Sequence, residues 1–189
     1  MNGTEAFGNT AAILAGGGID STVCMHLMKA EGISFRALHI DFGQEAGGLE
    51  WRAVQTLAAH FDSPSSQIKV TGDLPVSSGE IRGRNGGLIH LALMHLRPQE
   101  NLICIGIHAG TPFYDCSMKF LDRMSTLVAE CTDSRVRLTA PLHKFNKPDV
   151  VSLAKSFDLP LHLTHSCQRA VHGGCGSCHS CLDRKALAC

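Results

Sequence analysis

The chain has 189 residues, with 17 basic and 17 acidic side chains that cancel to a formal net charge of zero. That length holds one domain with a full core and is short for two, and with balanced charge nothing argues for nonspecific nucleic-acid or membrane binding, which would want a basic face. No apolar run approaches the roughly 20 residues that span a bilayer. The first residues, Met-Asn-Gly-Thr-Glu-Ala, lack the basic and apolar segments of a secretory leader, so a cytoplasmic location is expected.

The apolar run Ala11 to Ala15 stops at Gly16-Gly17-Gly18, and Ile19, Asp20, Ser21 and Thr22 then open an amphipathic pattern that runs through Lys29. This reads as strand, tight turn and helix. The glycines leave no side chain between the backbone N–H groups and a bound anion. Ser21 and Thr22 add hydroxyls where the helix begins, at the positive end of its dipole. The turn suits a phosphate, yet it lacks the Gly-Lys-Ser/Thr ending of a Walker loop and the Gly-x-Gly-x-x-Gly spacing of a dinucleotide fold.

Phe35 to Asp41 is predicted as a second strand ending at Phe42-Gly43, Trp51 to Phe61 as a helix, and Gln67 to Val70 as a short third strand. The alternation favours a parallel sheet covered by helices on both faces. Thr71 to Arg84 is polar and turn-rich, and Asn85 to Leu96 is predicted helical, stopped by Pro98. Asn101 to Ile107 is a continuous apolar run expected of a strand buried on both faces. The loop His108 to Asp115 follows its C-terminal end, where open α/β sheets bind ligands. A helix over Cys116 to Cys131, a short strand over Val136 to Ala140 and a helix over Lys147 to Phe157 with Pro148 at its start complete the pattern. No repeat or linker divides the chain, so residues 1–189 are expected to form one domain. From His162 onward, residues 162–189 make a cysteine-rich appendage too small for a core of its own.

Nine cysteines form an odd count, and Cys167, Cys175, Cys178 and Cys181 crowd into one short stretch with Gly174 and Gly176 beside the second. In a cytosolic protein this asks for a metal or redox reading rather than a disulfide framework. Four thiolates with two-residue gaps can close a tetrahedral zinc site that replaces the core the segment lacks. An iron–sulfur cluster uses similar spacing, and His165, His172 and His179 keep a mixed ligand set open. The remaining cysteines (Cys24, Cys104, Cys116, Cys131 and Cys189) read as small buried or incidental residues.

Gly16-Gly17-Gly18-Ile19-Asp20-Ser21 resembles the Ser-Gly-Gly-x-Asp-Ser signature of the PP-loop ATP pyrophosphatase superfamily, with Gly16 in place of the first Ser. Asp41-Phe42-Gly43-Gln44, Arg82-Gly83-Arg84-Asn85, Ile105-Gly106-Ile107, Asp115-Cys116, Ala140-Pro141-Leu142 and the cysteine motif together resemble the 7-cyano-7-deazaguanine synthase (QueC-like) family. That resemblance runs from about Thr10 to Leu187. The chain departs from the family pattern at Gly16, at Glu45-Ala46 where Arg-His is usual, at Ser117 where Arg is usual, and in shorter segments between Val70 and Arg82 and between Gly106 and Asp115.

The resemblance implies a Rossmann-like α/β fold of the adenine nucleotide alpha-hydrolase (PP-loop) type carrying the zinc appendage. It implies ATP, Mg²⁺ and Zn²⁺ as cofactors, a small 7-deazaguanine carboxylate and ammonia as the other reactants, and a homodimer. In such enzymes ATP converts the carboxylate to an acyl-adenylate, ammonia displaces AMP to give an amide, and a second activation yields the nitrile. On this reading Asp20, Ser21 and Arg84 carry the catalysis. Ala15, Gly16, Gly17, Gly18, Ile19, Asp20, Ser21, Thr22 and Asp41 surround the nucleotide, with Mg²⁺ on Asp20. Phe42, Gln44, Arg84, Asn85 and Asp115 meet the substrate, and Cys167, Cys175, Cys178 and Cys181 hold zinc. The departures keep two other readings in view. One is a divergent ligase that adenylates a different carboxylate or stops at the amide, as QueC-like proteins of phage-defence clusters would. The other is a non-catalytic nucleotide- or zinc-binding module.

Overall fold

The computed structural model describes residues 9–72 and 81–189, so most of the turn-rich segment expected between Thr71 and Arg84, and the shortening noted there, lies outside the described residues. Five strands form one parallel sheet: β1 (Thr10–Leu14), β2 (Ser34–Asp41), β3 (Ser65–Lys69), β4 (Leu102–Ile105) and β5 (Arg137–Thr139), in the order β3-β2-β1-β4-β5. The chain winds outward from β1 to one edge, then returns to β4 on the other side of β1. This reversal places a crevice between the C-terminal ends of β1 and β4, the position at which doubly wound sheets bind ligands.

Both faces of the sheet are covered, which is why β1 and β4 read as unbroken apolar runs. Ala11, Ile13 and Ala15 pack with helices α1 (Ile19–Ala30), α2 (Gly47–His60) and α5 (Lys147–Ser156), through Val23, Met25, Leu57 and Val150. Ala12 and Leu14 point the other way, toward α3 (Arg84–Met94) and α4 (Met118–Cys131), through Ile89, Phe120, Met124 and Val128. The two-residue strand period thus divides the core into two layers, and each fully buried aliphatic side chain stabilises the fold by about 1.5–3 kcal/mol. Cys24 and Cys104 belong to this core, and their mutual hydrogen bond raises the Cys24 thiol well above its usual range.

The helix starts show local chemistry that periodicity does not resolve. Asn146 and Asp149 form a reciprocal capping box at α5, with Pro148 in its first turn. Ser117 Oγ accepts from the Phe120 N–H at 3.2 Å and caps α4, so the helix begins at Met118 after a 3-10 turn over Tyr114–Cys116, rather than at Cys116. Gly83 occupies the cap position of α3, so the helix begins at Arg84, one residue before the expected start at Asn85. A sixth helix, α6 (His179–Ala186), lies within the appendage.

At the opposite end of the sheet, β2 carries a charge inside its apolar run. Arg36 forks onto Glu100 with bonds of 2.7 and 2.6 Å, and both side chains are almost fully buried. Ser66 and the His95 carbonyl take two more of the guanidinium donors, and the Arg97 N–H donates to Glu100 at 2.8 Å. A buried pair is tolerable only when its polar atoms are satisfied in this way.

Candidate functional site

The glycines after β1 do different work. Gly16 faces open space. Gly17 has φ +72°, and a Cβ on it would stand 2.7 Å from Ala53 Cβ and 2.8 Å from the Glu50 carbonyl, so its bareness lets the turn seat against α2. Gly18 is the cap residue of α1 and has no side-chain cap, leaving the helix N–H groups turned toward the crevice. Across the crevice, a Cβ on Gly106 would lie 3.2 Å from Asp20 Cβ, so the loop after β4 closes directly onto the first turn of α1.

A cleft of about 690 Å³ opens there, a volume typical of small-molecule sites. The glycine turn, Phe42, Gln44, Arg84, Asn85, the loop from His108 to Phe113, Lys147 and residues of the appendage line it. The structure therefore brings together most of the segments expected from sequence. Asp20 is paired: Lys147 Nζ lies 2.7 and 2.8 Å from its two carboxylate oxygens, with both side chains about a quarter exposed. Ser21 and Thr22 each donate their hydroxyl hydrogen to the Gly18 carbonyl, at 3.0 and 2.9 Å. Thr22 is fully buried and stands outside the cleft lining.

Gln44 lines the cleft, with its side chain committed to its own loop. Its oxygen accepts from the Phe42 N–H at 2.9 Å and its nitrogen donates to Glu50 at 2.7 Å. Asp41 is likewise an internal brace, accepting from the Gly43 N–H at 3.0 Å, and is not part of the lining. Asp115 stands apart in a neighbouring cavity of about 320 Å³, where it accepts from the Asn85 N–H at 3.1 Å while Asn85 Nδ2 donates to the Asp115 carbonyl at 2.9 Å. Arg84 borders both cavities and pairs with no carboxylate among the described residues.

In the appendage, the sulfurs of Cys167, Cys175, Cys178 and Cys181 all lie within 4.8 Å of one another. Four thiolates at that spacing fit one tetrahedral zinc. The backbone shapes the site further. A Cβ on Gly174, whose φ is +94°, would stand 3.1 Å from Cys181 Sγ. The N–H groups of Arg169 and Cys175 donate to Cys167 Sγ, each at 3.4 Å, and that of Cys178 donates to Cys175 Sγ at 3.3 Å. The Ser177 backbone N–H and hydroxyl, joined by Cys178, bring the Cys175 thiol down to about 5, whereas burial and the adjoining Cys178 thiol push Cys181 up to about 11. N–H groups aimed at sulfur favour the thiolates that a cation needs.

The appendage also touches the glycine turn. His165 N–H donates to the Gly17 carbonyl at 2.8 Å, Ser166 Oγ lies 3.8 Å from where a Gly18 Cβ would stand, and Ala170 N–H reaches Glu45 at 3.4 Å. Sequence reasoning did not single out Lys147, Ser166 or Arg184 for the site. Lys147 beside the capping Asn146 carried a usable hint, because the start of a helix is where its dipole repels a lysine. Ser166 stood next to Cys167 in the stretch that carries the family resemblance, with no role of its own assigned to it, and Arg184 carried no hint.

The sequence profile described as queuosine biosynthesis protein QueC matches residues 10–78 and 73–188. A 7-cyano-7-deazaguanine synthase of Campylobacter jejuni is 28% identical over 206 residues, spanning 92% of this chain and 91% of that protein. One from Anaeromyxobacter dehalogenans is 28% identical over 216 residues, spanning 94% and 91%. Among solved structures, the NMN synthetase from Francisella tularensis superposes with a TM-score of 0.59 at 16% identity, over 95% of this chain and 77% of that one. The NH3-dependent NAD synthetase from Campylobacter jejuni gives 0.52 at 15% identity, over 85% and 68%. At such identities the superpositions speak for the fold alone.

Proposed function

The chain belongs to the QueC family, and from that membership we propose that it is an ATP-dependent ligase forming C–N bonds, of the 7-cyano-7-deazaguanine synthase type. The observation that carries this reading is the cleft at the β1–β4 crevice, where a bare glycine turn and a helix N-terminus meet the Asp20–Lys147 pair. A carboxylate is a poor electrophile until one of its oxygens becomes a leaving group. Attack of that oxygen on the α-phosphorus of ATP forms the acyl-adenylate and releases pyrophosphate. Ammonia then attacks the acyl carbon, AMP departs, and an amide results; a second activation of the amide oxygen leads to the nitrile.

Charge builds on the departing pyrophosphate, and on this reading the turn N–H groups, with the Lys147 ammonium beside them, stabilise it. One carboxylate in the turn, Asp20, fits a magnesium ion held chiefly by the phosphates, which when bound would neutralise developing charge. Arg84, with a free planar fork at the border of both cavities, is suited to the carboxylate of the second substrate. No described helix is long and apolar enough to cross a membrane; a cytoplasmic location belongs to the same proposal. The assembly expected is a homodimer, which light scattering reads directly.

The test is pyrophosphate release from ATP, with and without 7-carboxy-7-deazaguanine and ammonium. Release that depends on the deazaguanine acid supports the synthase reading. One observation favours a second carboxylate substrate. Glu45, where the family usually carries Arg, turns to the Ala170 N–H, and Ala46 is buried at the start of α2, so neither offers the polar groups the family places there. Tight ATP binding with no response to the deazaguanine acid would shift the assignment to that divergent ligase, and absence of ATP binding would leave a non-catalytic module.

A further inference from the structure

Three hydroxyls pack against the glycine turn, and they are not equivalent. Those of Ser21 and Thr22 both donate to the Gly18 carbonyl, so their hydrogens are spent inside α1. At Gly16 there is no side chain, and the space beside it is open. Ser166 differs from all three positions. Its Oγ accepts from Arg184 Nη1 at 3.3 Å, it lines the cleft beside Gly18, and its own hydrogen has no acceptor among the described residues.

We infer that Ser166, aimed by Arg184, supplies the hydroxyl that binds a phosphate oxygen of the nucleotide, replacing the one absent at Gly16. Arg184 itself is committed to the protein. Its Nη1 also donates to the Thr164 carbonyl and hydroxyl at 3.2 and 2.9 Å, its Nη2 to the Leu161 carbonyl at 2.9 Å, and its Nε to the Cys189 carbonyl at 3.3 Å. Nη1 has two hydrogens for three acceptors, so the contact with Ser166 Oγ is a shared bond; it keeps positive charge against the oxygen, which favours the hydroxyl as a donor. The segment that carries it is fixed on both sides, by the His165 N–H on the Gly17 carbonyl and by the thiolate cluster that begins at Cys167. A donor held in this way needs no reorganisation when an anion arrives. The metal-binding appendage thereby forms part of the nucleotide site as well as a wall beside it.

This inference rests on the reading that the cleft binds ATP, and calorimetric titration of the zinc-loaded chain with ATP separates the two. Ser166→Ala is expected to weaken binding about ten- to a hundredfold, as for loss of one hydrogen bond to a charged group, with bound zinc unchanged. Ser166→Thr, which keeps the hydroxyl, is expected to bind as the wild type does. Adding Gly16→Ser to Ser166→Ala is expected to recover most of the loss, since Gly16 has open space and no left-handed backbone to forbid a side chain. Wild-type affinity in Ser166→Ala overturns the inference while the ATP site stands. Loss of zinc along with affinity, or failure of both Ser166→Thr and the Gly16→Ser addition to bind, assigns Ser166 to packing and overturns it too. A wild-type chain that binds no ATP overturns both.

Discussion

Lys147 Nζ bridges both carboxylate oxygens of Asp20 from 127 residues away in sequence, joining the start of α5 to the first turn of α1. A partly exposed ion pair of this kind adds at most about 1 kcal/mol to stability, and its position at the mouth of the glycine turn points to chemistry. Asp20→Ala and Lys147→Met are each expected to lower pyrophosphate release by about a hundredfold or more, with melting temperatures close to that of the wild type. Turnover that survives either change would remove the pair from the mechanism.

Two neighbouring glycines should respond in opposite ways. Gly17→Ala forces a Cβ into Ala53 and the Glu50 carbonyl at a positive φ, a combination expected to cost about 2–4 kcal/mol in denaturant unfolding. Gly16→Ser meets nothing, so stability should stay within about 0.5 kcal/mol, with activity held or raised by the restored hydroxyl.

Removing one partner of the Arg36–Glu100 pair strands a buried charge, and Arg36 left alone in Glu100→Ala is expected to destabilise the fold by about 3–5 kcal/mol. Burial pushes the Glu100 carboxyl up, and the bonds from Arg36 and from the Arg97 N–H outweigh it, holding the group below its ordinary 4.5. A carboxylate lowered on folding contributes stability that is complete above 4.5 and drains away as pH falls through its folded value. The stability gap between wild type and Glu100→Gln, measured by urea unfolding, should therefore be widest near neutrality and narrow below about pH 4.5.

Metal analysis is expected to return one zinc per chain and no iron. Chelation, or Cys178→Ser, should unfold α6 and the segment around His165 while the sheet survives, because binding and folding of so small a unit are coupled. Amide exchange would read this as loss of protection confined to the appendage and the Gly17 turn. Visible charge-transfer absorbance would favour an iron–sulfur cluster instead.

Arg84→Ala should raise KM for the carboxylate substrate about ten- to a hundredfold, as for a lost charge-assisted bond, while KM for ATP holds. Phe42→Ala should follow the same pattern more weakly, through loss of an apolar face. Equal effects on both constants would move Arg84 to the nucleotide.

Elements set by local rules were legible in the sequence. The apolar runs of β1 and β4, the glycine turn, the Pro148 helix start and the cysteine spacing all report nearest-neighbour physics, and each stands where it was expected. Strand order was not legible, because both sides of β1 offer equivalent apolar surface and only tertiary packing chooses β4 over β3. Lys147, Ser166 and Arg184 escaped for a related reason: their partners are Asp20, the glycine turn and Leu161 to Thr164, distant or irregular segments that leave no periodic mark. Arg36 left one signal, a charge inside a run of buried strand residues, which demands a buried partner. Asn85 and Asp115 were expected at the substrate, and the structure shows them bonded to each other, bracing α3 against the 3-10 turn.

The His165 contact with the Gly17 carbonyl also orders events during synthesis. A ribosome adding roughly 5–20 residues per second makes the glycine turn on the order of ten seconds before it makes Lys147 and the cysteine cluster. For that interval a growing chain holds the glycine turn with Asp20 unpaired and one wall of the cleft absent. On the proposed function, competence to consume ATP would arrive late and in step with metal loading, so zinc scarcity is expected to leave folded sheets that are idle rather than enzymes that waste nucleotide.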